Sequence, residues 1–221
     1  CEAALQDALA YATQRKQFGQ PIAALPLVAS MLAKMVVNTE AARALLYRTY
    51  GLLDRNLARE LPLGRDELSA AERAELQQDL ERDSVRVRLL TPLCKYFATE
   101  VCTDVTRDAL QVFGGVGFTM DSHVGKYHAD SLITTIYEGT SEIQASFALK
   151  EIGKGALRVV FDVVRGELAG MQDDPARAGL AKRVVEMTHM VDQAASALFG
   201  DLGYALLRAK LLAEMVTDCA A

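Results

Sequence analysis

Three short stretches of the sequence combine residue types that could do chemistry, and one of them offers a candidate base. They are Arg15–Gly19, Gln111–Phe118 and Ile136–Gln144. In the last stretch, Glu138 stands immediately before a predicted helix, beside a glycine and two hydroxyl residues. Free amides at a helix start can hold an anion or a carbonyl oxygen, and a carboxylate against apolar Ile136 and Tyr137 could act as a general base. The alternative is that Glu138 only stabilises the helix dipole.

The other two stretches could bind a phosphate group. The glycines of Gln111–Phe118 are spaced like those of a phosphate-cradling loop, but they follow a helix rather than a strand, so turn glycines are the alternative. Arg15 and Lys16 could pair with a phosphate or could be solvated charges at a helix end. The three histidines have no Cys, Asp or Glu at zinc-ligand spacing, so the sequence predicts no metal site.

The elements that must position these residues are predicted to be helices. Ala and Leu make up 64 of the 221 residues, Trp is absent and only five Pro occur, which favours helix over sheet. A net charge of −5 with interspersed signs leaves no basic face for nucleic acid, and the sequence has no apolar run long enough to predict a membrane span. Because the chain starts at Cys1 within a helical pattern and ends without a helix stop, we expect a fragment.

One long helix is predicted from Pro26 by apolar residues that alternate spacings of four and three. This stripe consists of Val28, Leu32, Met35, Thr39, Ala42, Leu46, Thr49 and Leu53. The segment Asp54–Asp66 is rich in charge and contains Pro62 and Gly64, so a loop is predicted there.

A second long helix is predicted to begin at a capping box formed by Ser69 and Glu72. Pro92 marks either a second helix start or a kink in one longer helix. The apolar face continues to Gly114, where glycines end it. From Gly114 to Gly139 the sequence is aromatic, polar and without periodicity, which predicts a long irregular stretch of the kind that carries sites.

The remaining sequence predicts further helices. Ser141 and Gln144 form another capping box, and Gly153 with Gly155 marks a boundary within the stripe that follows. Beyond it, one helix is predicted up to Gly200 and a last, Leu-rich helix from Asp201.

The three chemical stretches, in this order, closely resemble the C-terminal helical domain of the acyl-CoA dehydrogenase flavoenzyme family. The phrases YATQRKQFGQPI, DALQVFGGVGF and IYEGTSEIQ carry the resemblance, which covers about residues 1–152. It implies an all-α fold, namely a four-helix up-and-down bundle with additional C-terminal helices. The implied domains are a bundle over residues 1–152, with an insertion at about 54–85, and a helical extension over residues 153–221.

The resemblance also implies roles for individual residues. Glu138 matches the base that removes the α-proton of an acyl-CoA thioester, and a Glu there argues against relatives that carry the base on an earlier helix. Ala129 and Ala145 depart from the family, which commonly has Arg at both positions. The implied FAD-binding residues are Arg15 and Phe18 at the pyrophosphate of a neighbouring subunit, Gln111 and Gly115 at its adenosine, and Thr140, Ser141 and Glu142 at the following helix.

The implied function is FAD-dependent α,β-dehydrogenation of an acyl-CoA in fatty acid metabolism by a parent enzyme, with this fragment inactive alone. An electron-transferring flavoprotein or similar acceptor, a homodimer or homotetramer, and a bacterial cytoplasmic location follow from the resemblance, with the mitochondrial matrix as the alternative location. A non-catalytic helical assembly module or degenerate paralogue is the alternative from another class. Acyl-CoA oxidase, with the same base and oxygen as acceptor, is a nearer alternative.

Overall fold

The computed structural model describes residues 1–63, 68–171 and 173–221, and it is built mainly from helices. The prediction of an all-α fold is confirmed. The only strands among these residues form a short antiparallel hairpin. In chain order, the elements are α1 (Glu2–Gln14), β1 (Lys16–Gln17), β2 (Gln20–Pro21), α2 (Pro26–Leu63), α3 (Ala70–Phe113), α4 (Gly115–Phe118), α5 (Val124–Thr134), α6 (Ser141–Gly153), α7 (Ala156–Ala169), α8 (Ala178–Leu198), α9 (Leu202–Leu207) and α10 (Ala209–Ala220).

The first compact unit comprises residues 1–44 and 96–141. Its core is formed by apolar side chains of α1, the first half of α2, the second half of α3 and the start of α5. Ala4, Ala8 and Ala12 are buried at every fourth position of α1, so small side chains form the packed face of this helix. Tyr11 stacks on Phe113 with ring centroids 4.2 Å apart. This stack holds the end of α3, where the candidate site begins.

The second compact unit comprises residues 45–95 and 142–221 and contains a buried cluster of charges. Asp83 on α3 is 1% exposed and accepts hydrogen bonds from Arg59 at 2.5 Å and from Arg86 at 2.8 Å. Burial by itself would raise the pKa of Asp83, but these hydrogen bonds hold it below its ordinary value. The carboxylate is therefore paired and ionised inside the unit.

Helix α2 differs from its prediction in register and in length. The predicted stripe holds as far as Ala42 and again at Thr49, but Leu45 and Leu52 are buried in place of Leu46 and Leu53. Each buried leucine has a leucine as its neighbour, so composition alone could not decide which of the pair faces inward. The loop predicted over residues 54–66 is wrong as far as residue 63, while residues 64–67 lie outside the described part. Ion pairs of Arg59 with carboxylates of α3 stabilise these charged turns as helix.

Helix α3 confirms its predicted boundaries and decides between the two interpretations of its proline. The Ser69 N–H donates to the Glu72 carboxylate at 3.0 Å, and the Glu72 N–H donates to the Ser69 hydroxyl at 3.3 Å. Pro92 lies inside one continuous helix, so it is not a second start. The helix ends at Gly114, whose φ of +61° is one that glycine adopts readily.

Beyond α3, the structure differs from two predictions about helices and confirms one predicted helix boundary. The predicted irregular stretch contains α4 and α5, and Val124 and Ser131 are the buried residues of α5. The predicted last helix is divided at Arg208 into α9 and α10. Gly155, with φ +90°, separates α6 from α7 as its position predicted.

Candidate active site

Glu138 lies in the turn between α5 and α6, with its backbone in the left-handed region. Its φ is +56°, and the φ of the following Gly139 is +98°. For a residue with a Cβ this conformation costs about 1–2 kcal/mol, whereas glycine tolerates it. Glu138 is exposed to solvent. The predicted base therefore stands on a strained, exposed turn a few residues before α6.

The start of α6 is fixed through both the backbone and the side chain of Ser141. Its N–H donates to the Thr135 carbonyl at 3.1 Å, and its hydroxyl donates to the Glu100 carboxylate of α3. Ser141 is 3% exposed, Thr140 is half-buried and Glu142 is exposed. Of the three cofactor-binding residues predicted here, Ser141 thus has its hydroxyl engaged within the protein.

Arg15 and Phe18 belong to the hairpin that follows α1, which the sequence did not predict. The Arg15 carbonyl accepts a hydrogen bond from the Ile22 N–H at 2.8 Å and so closes the base of the hairpin. At its tip, Phe18 has φ +51° and Gly19 has φ +81°, the signature of a type I′ turn. Phe18 is 89% exposed. The hairpin thus presents an aromatic ring outward at the cost of a strained backbone.

Arg15 and Gly115 line one cleft of about 520 Å³. The predicted partners Gln111 and Phe18 are not among its lining residues: Gln111 is exposed in the last turn of α3, and Phe18 is at the hairpin tip. The structure therefore brings together only part of the predicted cofactor set. The cleft is also lined by Tyr11, Gln17, Ile22, Val112, Phe113, Gly114, Val116, Thr119 and Asp121.

The chemistry of this cleft fits one part of a dinucleotide. The guanidinium of Arg15 can pair with a phosphate, and the carboxylate of Asp121 can accept hydrogen bonds from sugar or base groups. A Cβ added at Gly114 or Gly115 would meet nothing within 4 Å, so a ligand can approach the backbone closely there. These residues could hold a phosphate and an adjoining ring.

A second cleft, of about 610 Å³, lies beside α5 and was missed by the sequence analysis. It is lined by apolar side chains and by the polar residues Thr119, Ser122, His123, Lys126 and His128. The Nδ1 of His128 lies 3.0 Å from the Thr106 hydroxyl of α3. The Ser131 hydroxyl lies 3.1 Å from the same Thr106 oxygen, and both hydroxyl residues are buried. Thr106 and Ser131 are 25 residues apart in the sequence, so no local pattern indicates their contact. Their hydrogen bonds hold α5 against α3.

Metal binding and membrane insertion both depend on features that the described ranges of the chain lack. Over residues 1–63, 68–171 and 173–221, no three His, Cys, Asp or Glu side chains are grouped so that they could hold a metal ion. Within those same ranges, every helix is too short or too polar to cross a membrane.

Comparison with known proteins gives the family of the chain. The family described as "Acyl-CoA dehydrogenase, C-terminal domain" matches residues 1–153. The probable acyl-CoA dehydrogenase FadE25 of Mycobacterium tuberculosis is 38% identical over 143 residues, which are 65% of this chain and 30% of that protein. The caffeyl-CoA reductase-Etf complex subunit CarC of Acetobacterium woodii is 31% identical over 145 residues, again 65% of this chain and 30% of that protein.

A solved structure extends the similarity to the C-terminal helices. The acyl-CoA dehydrogenase of Bacillus anthracis, complexed with FAD, matches 99% of this chain and 36% of its own with a TM-score of 0.72 and 25% identity. The chain spans about 30% of the length of the curated relatives it matches. With its family match over residues 1–153, the chain belongs to the acyl-CoA dehydrogenase family through that family's C-terminal domain.

Proposed function

We propose that the parent protein of this chain is an FAD-dependent acyl-CoA dehydrogenase in which Glu138 is the base. The observation that carries the proposal is a carboxylate on an exposed, left-handed turn shortly before α6. The α-proton of an acyl-CoA thioester moves to this carboxylate. FAD supplies the acceptor for the β-hydrogen, which leaves as hydride. Family membership and the FAD complex of a relative support this assignment.

An α-proton is too weakly acidic for a carboxylate unless hydrogen bonds stabilise the negative charge that develops on the thioester oxygen. The family resemblance implies that the backbone N–H of Glu138 is one of the donors. The carboxylate that removes the proton and the N–H that stabilises the charge on the thioester oxygen both belong to Glu138. The backbone conformation of this one residue would therefore set the position of both groups.

We assign FAD binding to two groups of residues. Arg15 and Gly115 line the 520 Å³ cleft and would hold the phosphates and an adjoining part of the dinucleotide. We assign supporting contacts to Phe18, Gln111, Thr140, Ser141 and Glu142. The resemblance implies that four residues contact the FAD of a neighbouring subunit, namely Arg15, Phe18, Gln111 and Gly115. We therefore propose a homodimer or homotetramer.

The proposed electron acceptor is an electron-transferring flavoprotein. A relative that is named as a subunit of an Etf complex supports this acceptor. The bacterial origin of the relatives supports a cytoplasmic location.

The test of the proposed base is Glu138→Gln in the full-length enzyme. The amide keeps the size of the side chain and cannot accept the α-proton, so anaerobic flavin bleaching by acyl-CoA should slow by about 10²–10⁴-fold. FAD content and acyl-CoA affinity should stay near those of the wild type. A panel of acyl-CoA chain lengths would define the substrate class in the same experiment.

The matched control is Asp130→Asn, which removes an exposed carboxylate from α5 where it pairs with Lys126. Bleaching in this variant should be unchanged. Wild-type bleaching by Glu138→Gln would eliminate Glu138 as the base. A wild-type protein that no acyl-CoA bleaches would support the non-catalytic module instead, and rapid reoxidation of the bleached flavin by oxygen would support an oxidase.

A further inference from the structure

We propose that Glu100 is a positioning residue that holds Glu138 in its reactive conformation through Ser141. This inference rests on the proposed role of Glu138 as the base. Glu100 lies on α3 and is half-buried, and its carboxylate accepts the hydrogen bond of the Ser141 hydroxyl. Ser141 is only three residues beyond Glu138, so Glu100 acts on the turn from outside it.

The turn needs such support because two consecutive residues, Glu138 and Gly139, have positive φ. A strained backbone persists only where the surrounding structure fixes the chain on both sides of it. The segment before the turn is fixed because the Tyr137 N–H donates to the Ile133 carbonyl at 3.1 Å and Ser131 on α5 contacts Thr106 of α3 at 3.1 Å.

Ser141 fixes the segment after the turn. Its N–H donates to the Thr135 carbonyl at 3.1 Å, a contact within the same turn that moves with the turn. The hydroxyl bond to Glu100 is the contact that ties Ser141 to α3. A hydrogen bond to a carboxylate is stronger than one between neutral groups, so it suits a residue that must resist relaxation of strain. Helix α3 therefore holds the segment that carries Glu138 at both ends, through Thr106 and through Glu100.

The test uses the full-length enzyme and three variants, Glu100→Ala, Ser141→Ala and the double variant. Loss of the tie should let the carboxylate shift, so we expect anaerobic flavin bleaching at saturating acyl-CoA to slow by about 10-fold in each single variant. The double variant should be no slower than the singles, because both changes remove the same hydrogen bond. Acyl-CoA affinity should be retained in all three variants, and FAD content should be retained in Glu100→Ala. Because Ser141 is assigned a contact to FAD, the rates of the two variants that change Ser141 are expressed per bound FAD.

Two further variants separate positioning from general structural support. Glu100→Gln keeps an oxygen that can accept the Ser141 hydroxyl, so it should restore bleaching to within about 3-fold of the wild type. Asp104→Ala removes the next carboxylate along α3, which pairs with Arg107, and should leave bleaching unchanged. If Glu100→Ala does not fold, the test is carried by Ser141→Ala with its rate expressed per bound FAD, compared with Glu100→Gln in the same assay.

Wild-type bleaching rates in Glu100→Ala or Ser141→Ala, even with a lower melting temperature, would overturn the proposal. An equal loss in Asp104→Ala would overturn it too. Failure of the base assignment has a different signature, because Glu138→Gln would then bleach at the wild-type rate. If Glu138→Gln is slow and Glu100→Ala is not, only the positioning role of Glu100 is wrong.

Discussion

The two compact units of the chain differ in where strain and the most deeply buried charges of the described residues are found. Both non-glycine residues with positive φ, Phe18 and Glu138, belong to the described residues of the first unit. The second unit contains the buried cluster of Asp83 with Arg59 and Arg86. Strain in the first unit coincides with residues proposed to do chemistry, whereas the charges of the Asp83 cluster in the second unit neutralise one another. We infer that substitutions in the first unit act mainly on function and those in the second mainly on stability.

The largest effect on stability is expected for Asp83→Asn. This change leaves Arg86 buried without its carboxylate partner, and breaking a buried pair in this way costs about 3 kcal/mol. The melting temperature of the full-length enzyme should fall by several degrees while the rate of flavin bleaching is retained. Asp79→Asn is the control, because Asp79 is more exposed and pairs with the same Arg59, so its loss should cost below about 1 kcal/mol.

The same cluster predicts a dependence of stability on pH. Because hydrogen bonds hold the pKa of folded Asp83 below its ordinary value, the stability from this group is fully present above the unfolded pKa of about 3.9. It is lost as the pH falls through the lower, folded pKa. Thermal unfolding between about pH 5 and pH 2 should therefore show a steeper acid loss in the wild type than in Asp83→Asn. Parallel curves would contradict this assignment.

In the first unit, Arg15→Ala should weaken FAD retention by about 1.5–3 kcal/mol, the usual loss for a charge-assisted hydrogen bond. This corresponds to roughly a 10- to 150-fold higher FAD dissociation constant. The control is Lys16→Ala, which removes the adjacent charge from β1 at a position that does not line the cleft. An unchanged dissociation constant in Arg15→Ala would remove this residue from the site.

The smallest effect is expected at the hairpin tip, and it should have opposite signs for stability and function. Phe18→Asn places a residue that tolerates positive φ before Gly19, so stability should rise by up to about 1 kcal/mol. FAD retention should fall if the exposed ring contacts the cofactor. Phe18→Leu removes the ring and keeps the strain, so it should lower FAD retention without the gain in melting temperature.

The sequence predicted local structure well where one residue type determines the geometry. The capping box of Ser69 and Glu72 and the stop at Gly114 are both found, since each depends on the chemistry of a few neighbouring residues. The sequence did not predict α5 or the turns of α2 before Leu63, because these are stabilised by contacts with residues distant in sequence.

The sequence predicted which residues belong to the candidate site more completely than it predicted where they lie relative to one another. The phrases that carry the family resemblance predict Glu138, Arg15 and Gly115 as site residues, and the structure puts Arg15 and Gly115 in one cleft. The tie from Glu100 to Ser141 spans 41 residues, so no local pattern could have revealed it. The role of Phe18 as a turn residue was also missed, because aromatic residues rarely occupy positive φ.

The left-handed backbone at residue 138 has a consequence for how this chain can change over evolutionary time. Gly would adopt that conformation at little cost and Asn more readily than Glu, so replacing Glu138 with either would relieve strain. If activity no longer required a carboxylate at this position, replacement of Glu138 would therefore be favoured because it increases stability. Glu138 should therefore be replaced early in descendants of this chain that lose the activity, and we expect Gly or Asn at this position in them.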